Sequence, residues 1–208
     1  MGGEKMRYIQ EISTFEYIEY KSLFIGILFP LDDPKEISQL ILKAKDMYPK
    51  ANHYCSASIY GDFGELHTAD DNGEPSRTAG IPILEVLKHH DVTNILCVVV
   101  RYFGGIKLGA SGLVRAYTKA CAEVLKTATF YEKTLVSSYE IEFGYALIHT
   151  MDHLLEKKAT ILEKIFLENV TYKLVLTQLD SSFLTDMSYQ LISLKEGPKE
   201  ILWTKVAS

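Results

Sequence analysis

The chain has 208 residues, 47% of them hydrophobic, and its 22 Lys and Arg against 27 Asp and Glu give a formal net charge of −5. That composition excludes a disordered chain, and the charge excludes a molecule whose whole surface is a positive field, so contact with nucleic acid requires a local patch. No run approaches the ~20 apolar residues of a membrane span, and the opening "MGGEKMRYIQ" has no apolar core of signal-peptide length.

Three scattered cysteines, Cys55, Cys97 and Cys121, form no Cys-x-x-Cys pair and suit a reducing, cytoplasmic setting. "FEYIEYKSLFIGILF" is aromatic and β-branched and reads as one or two strands ending at Pro30. "DDPKEISQLILKAKDMYP" reads as a helix. Asp33 caps it, Pro34 suits its first turn, and Glu36 has capping-box spacing. Ile37, Leu40, Ile41, Ala44 and Met47 share one face. "HYCSASIYG" reads as a strand, "TADDNGEPSRTAG" as a polar turn segment, and "IPILEVLKHHD" as a short helix for which Thr78 is the candidate cap. The six apolar residues from Ile95 to Val100 predict a strand buried on both faces. A long helix follows from about Ser111, with Leu113, Tyr117, Ala120, Cys121, Val124 and Ala128 in one stripe.

The pattern changes near Tyr131. "YEKTL" reads as a linker, which divides the chain into domains at residues 1–131 and 135–208. Beyond it come a strand over 136–143 and a helix over 146–158. Two strands follow, turning at Glu168-Asn169. A helix then carries Phe183, Met187, Leu191 and Leu194 and ends at Gly197, and "KEILWTKV" forms the last strand. This βαββαβ order is the ferredoxin-like plan. The chain as a whole is expected to be α+β. We find no internal repeat.

The chemistry concentrates in two stretches. "VVVRYFGGIKLGASGLVRAY" runs from the buried strand through a glycine-rich loop into the long helix. Arg101 stands where a guanidinium can leave the core, and Asp71 or Glu74 is its plainest internal partner. Tyr102 and Phe103 either stack on bases or anchor the loop. Gly104 and Gly105 either free backbone N–H groups for an anion or make a tight strand-to-helix crossing. The loop is neither a Walker A loop nor the dinucleotide fingerprint. Lys107 adds a charge, and Arg115 and Lys119, four apart, share a helix face. In the acidic stretch, Asp71 and Glu74 are either turn residues or ligands, and Asn72-Gly73 is a turn dipeptide. His53 and Cys55 face the same way on a strand, but no second half of a metal site is recognisable, so no metal or other cofactor is expected. His149 and His153 lack the Glu of the zinc-protease motif.

"DDNGEPSRTAGIPILEVL" followed by "VVVRYFGGIKLGASGLVRAY" resembles the YigZ/IMPACT family. The resemblance runs from about residue 10 to the end, with departures at Leu23, Asn72, Arg77 and Ser111. It implies an N-terminal domain similar to the second domain of ribosomal small-subunit protein five. It implies a C-terminal domain similar to the fifth domain of the translocation elongation factor. Eukaryotic relatives regulate translation and associate with ribosomes, and no catalytic residues come with the family. The expectation is therefore a non-enzymatic factor that binds RNA, the ribosome or a protein partner in translation. Arg101, Tyr102, Phe103, Gly104, Gly105, Lys107, Arg115 and Lys119 would form its surface. The alternative is a small-molecule enzyme that holds phosphate at the glycine loop and uses Asp71 or Glu74 as acid, base or metal ligand.

Overall fold

The computed structural model describes residues 6–177 and 182–206, which divide into two compact units: residues 6–132 with 205–206, and residues 133–204. In the first unit, β1 (Arg7–Tyr8) precedes the hairpin β2 (Ser13–Glu19) and β3 (Ser22–Pro30). A 3₁₀ turn then leads into α1 (Ile37–Met47). β4 (His53–Tyr60), β5 (Leu66–Asp70), α2 (Gly80–His89), β6 (Ile95–Tyr102) and α3 (Gly109–Thr127) follow in order. The sheet order is β2-β3-β6-β4-β5, and every neighbouring pair is antiparallel.

Helices cover both faces of this sheet, which is why β6 is apolar at every position from Ile95 to Val100. On one face Ile95, Cys97 and Val99 pack with α2 and α3, around Ile83, Leu87, Tyr117 and Val124. On the other, Leu96, Val98 and Val100 pack with Ile25, Ile27, Phe29 and Ala44, joined by Ile37, Leu40 and Ile41 of α1. The expected cap at Asp33 forms, its carboxylate accepting from the Lys35 N–H at 2.9 Å. Met47, placed on the apolar face by spacing, is 40% exposed because the helix ends there and the chain turns away. The "TAD" of the expected turn segment belongs instead to β5, an exposed edge strand.

β7 (Tyr131–Phe143) begins in the first unit, where Tyr131 and Glu132 pair with β1, and from Lys133 onward it belongs to the second unit, which continues with α4 (Ile148–Leu155), β8 (Ala159–Phe166), β9 (Val170–Leu176), α5 (Ser182–Asp186) and β10 (Ser193–Lys205). The strand order of the second unit, β10-β7-β9-β8, is that of a ferredoxin-like sheet. Met151, Leu155, Leu184 and Met187 of the helical segments pack on Ile141, Phe143, Tyr172 and Leu174, and Phe143 meets the Tyr172 ring edge-on at 4.9 Å.

Two expectations need correction. "YEKTL", within which the two units divide, is not irregular but the extended start of β7, and its Tyr131 and Glu132 pair with β1. The second helix stops at Asp186. Leu194 and Gly197 lie in β10, where Ser138 Oγ donates to the Pro198 carbonyl at 2.6 Å and ties the strand to β7.

Because adjacent residues of β6 enter different cores, Ile95→Ala and Leu96→Ala should each cost about 2–5 kcal/mol in urea unfolding. A sheet with one wet face would leave one of the two near neutral.

Candidate functional site

The end of β6 is built around a buried ion pair. Antiparallel register places Phe24 and His53 on either side of Arg101. The Arg101 guanidinium Nη1 donates to Glu74 Oε1 at 2.6 Å, and the two side chains are 6% and 4% exposed. The Tyr117 hydroxyl, from α3, donates to the same oxygen at 2.8 Å. Phe24 and Phe103 lie beside the guanidinium, each with its ring centroid 5.4 Å away. Ser22 Oγ is 3.5 Å from Nη2, and Nε has no partner among the described residues. Two charges removed from water in this way are held only by their mutual attraction and these hydrogen bonds.

Glu74 reaches this position by a tight turn. Its N–H donates to the Asp71 carbonyl at 2.9 Å, with Asn72 and Gly73 both at positive φ (40° and 87°). That is the conformation an Asn-Gly pair favours. Asn72 Oδ1 accepts from the Tyr54 N–H at 2.8 Å, and His53 Nδ1 donates to the Asn72 carbonyl at 2.9 Å. His53 thus anchors the turn.

Asp71 is the cap of α2, and Thr78 is not. Oδ1 accepts from the N–H groups of Ala79 and Gly80 at 2.9 and 2.8 Å, and Oδ2 from that of Arg77 at 2.6 Å. Thr78 Oγ1 instead donates to the Pro75 carbonyl. The helix start can approach so closely because residue 80 is glycine: a Cβ there would stand 2.6 Å from the Asp70 nitrogen. Burial works against ionisation of Asp71. The N–H groups of Arg77, Gly80 and Ala79, with the Arg77 charge, outweigh it and hold the carboxyl below its ordinary value. Cys55, whose thiol donates to the Asp71 carbonyl, is pushed up to about 12, by burial first and then by the carboxylates of Glu74, Asp71 and Asp70, against a lowering hydrogen bond from Tyr117. Such a thiol is not a nucleophile at neutral pH. Burial, followed by Cys55 and Glu74, likewise raises the Tyr117 phenol.

The glycine loop hangs from this frame. The Tyr102 hydroxyl donates to the Pro49 carbonyl, and the Phe103 N–H to Asn52 Oδ1 at 2.7 Å. Gly104 lies against the β2–β3 turn. Its N–H donates to Ser22 Oγ, and a Cβ there would sit 2.0 Å from the Lys21 carbonyl. Gly104 thus serves close packing. Gly105, at φ 85°, faces open space.

The proposed cations therefore divide. Arg101 is withdrawn from any surface role, since its charge is spent on Glu74. Lys107 and Arg115 are exposed and have no side-chain partner among the described residues. Lys119 lies over the Tyr17 ring at 4.5 Å, with Glu19 3.9 Å from its ammonium. A groove of about 200 Å³ separates α3 from the hairpin, with Tyr17, Tyr20, Leu108, Arg115 and Lys119 along it. Phe103 is 44% exposed and Tyr102 half-buried.

Sequence reasoning missed Tyr117 as a partner of Glu74 and placed it only in an apolar stripe. The available signal was chemical: a buried tyrosine hydroxyl requires an acceptor.

Residues 20–125 match the family model of the Impact N-terminal domain. The chain belongs to the IMPACT family. It is 34% identical over 193 residues to the IMPACT family member YvyE of Bacillus subtilis (strain 168), covering 92% of this chain and 89% of that one. A solved structure described as a hypothetical protein is 29% identical, with a TM-score of 0.60 over 93% of this chain and 96% of its own. The fold thus extends over both units. The two-domain translational regulator Yih1 is a slighter likeness, with 23% identity and a TM-score of 0.34 over 62% of this chain and 48% of its own.

Glu74→Gln should destabilise the protein by about 3–5 kcal/mol in denaturant melts, because it leaves Arg101 charged and buried without a counter-ion. Adding Arg101→Met to that variant should recover part of the loss, a coupling that a double-mutant cycle measures. Asp71→Asn should cost about 1 kcal/mol at neutral pH by weakening the cap. A carboxyl whose folded pKa is depressed contributes stability above its unfolded value of about 4, and loses it as pH falls through the folded value. The gap between wild type and Asp71→Asn should therefore close as melts are taken below that pH.

Proposed function

We propose that this IMPACT-family chain is a non-enzymatic, translation-associated factor that docks on ribosomal RNA through Lys107, Arg115 and Lys119. The observation that carries this reading is that Lys107 and Arg115 stand exposed on an otherwise acidic protein, unpaired among the described residues, on a loop and helix that a buried ion pair holds in place. Phosphate contact needs cations whose charge is not already spent internally, and these two meet that condition. Arg115 and Lys119 share one face of α3 beside the groove, and Phe103 and Tyr20 are exposed aromatic surfaces near the same hairpin and loop, suited to stacking on unpaired bases. Membership of the IMPACT family, which the sequence resemblance links to translation, supports the same direction.

The enzyme reading lacks its acid or base. Both Asp71 oxygens accept backbone N–H groups, and Glu74 is committed to Arg101 and Tyr117. Groups so engaged are poorly placed to move a proton or bind a metal.

Removing one cation that touches a phosphate should flatten the plot of log affinity against log salt by roughly 0.7–0.9. Lys107→Ala/Arg115→Ala should thus lower that slope by up to two such steps when ribosome co-sedimentation is measured at several salt concentrations. An unchanged slope and affinity would reject this surface.

A further inference from the structure

Away from the glycine loop, at the other end of α3, three cations and a histidine surround a second cavity. It measures about 320 Å³ and lies wholly within the first unit. Arg7 of β1, His90 at the end of α2, Lys126 in the last turn of α3 and Lys205 at the end of β10 line it together with Thr129 and Phe130, and among the described residues no carboxylate does. We infer that this cavity is a binding site for the dianionic phosphate of a small phosphomonoester, separate from the RNA-docking surface proposed above.

The cavity is built rather than incidental. The Arg7 backbone is fixed on both sides, its N–H donating to the Asp91 carbonyl and its carbonyl accepting from Thr93. Its guanidinium donates to the His90 carbonyl and lies over the Phe130 ring at 4.9 Å. A planar group held in this way keeps further N–H donors in fixed directions, which is the geometry that recognises an oxyanion. The Val206 N–H donates to the Phe130 carbonyl at 2.8 Å and brings Lys205 to the rim. Lys205 has no side-chain partner among the described residues, and Lys126 is held by Glu123 at 2.7 Å, a carboxylate outside the lining.

A simpler account is that these cations complement the carbonyl ends of α2 and α3. It covers Arg7, which bonds a helix-end carbonyl, and Lys126. It leaves out Lys205, which belongs to neither helix, and it gives no reason for an open volume of small-ligand size whose described lining holds no carboxylate.

His90 adds a signature. Burial first, then the neighbouring Arg7, with His89 and Lys126, holds its imidazole below the ordinary value, while Asp91 pulls the other way. The ring is therefore neutral at pH 7 in the empty cavity. A bound dianion favours its protonated form, so binding takes up a proton and tightens as pH falls.

The test is isothermal titration of the full-length protein with sodium sulfate, whose charge does not change between pH 6 and 8, and separately with inorganic phosphate. Sodium chloride at matched ionic strength is the control. Saturable sulfate binding is expected, about threefold or more tighter at pH 6 than at pH 8, with that dependence abolished in His90→Asn. Lys126→Ala/Lys205→Ala changes only exposed side chains and should weaken both anions about tenfold while circular dichroism stays unchanged. Lys107→Ala/Arg115→Ala should leave them untouched, so failure here and failure of the RNA surface are read separately. No saturable binding of either anion, equal binding by the Lys126→Ala/Lys205→Ala variant, or binding of an RNA oligonucleotide alone would overturn the inference.

Discussion

The first unit depends on a charge pair that the fold cannot leave half-made. Glu74 arrives from a turn, Arg101 from the end of the central strand, and Tyr117 from the third helix, and all three meet at one carboxylate oxygen. The pair's partners are 27 residues apart in the chain, so its formation fixes a turn, a strand end and a helix face together. Desolvating two charges is costly, and such a pair contributes more to specifying one arrangement than to net stability. The Asp71 cap and the Asn72 contact then hold the turn from which Glu74 reaches inward.

This arrangement explains why long, recognisable motifs carry so little surface chemistry. Glu74 and the arginine after the dry run face each other in the interior, and Asp71 is taken up by the start of α2. What remains outside is a smaller set: Lys107 before α3, Arg115 and Lys119 along its first two thirds, and a separate cationic cavity by its end. At 1.5 Å per residue, Lys119 and Lys126 are separated along α3 by roughly 10 Å of rise, and Lys107 stands farther off, before the helix begins.

Much of the architecture was legible. The two-sided burial of β6 followed from six consecutive apolar residues, and the Asn-Gly turn from its dipeptide. The ferredoxin-like order followed from alternating periods of two and 3.6. The failures have physical causes. "YEKTL" reads as loop because local polarity does not show that β1 will pair with it. Leu191 and Leu194 continue a helical period by coincidence, since apolar residues three apart also occur across a break. Within the site, sequence offered Asp71 and Glu74 equally as partners for Arg101, and only tertiary placement separates cap from counter-ion. Tyr117 was read by its ring and not by its hydroxyl. The cation cavity was invisible, because Arg7, His90, Lys126 and Lys205 share no motif.

The position of Lys107 carries a thermodynamic consequence. It stands two residues before Gly109, the first residue of α3, where the free N–H groups of a helix already present partial positive charge. A cation there opposes the helix dipole by roughly 0.3–1 kcal/mol. An anion drawn to that end cancels the repulsion, so occupancy and the firmness of the first turn of α3 rise together: whatever negative partner settles there also tightens the scaffold that presents it.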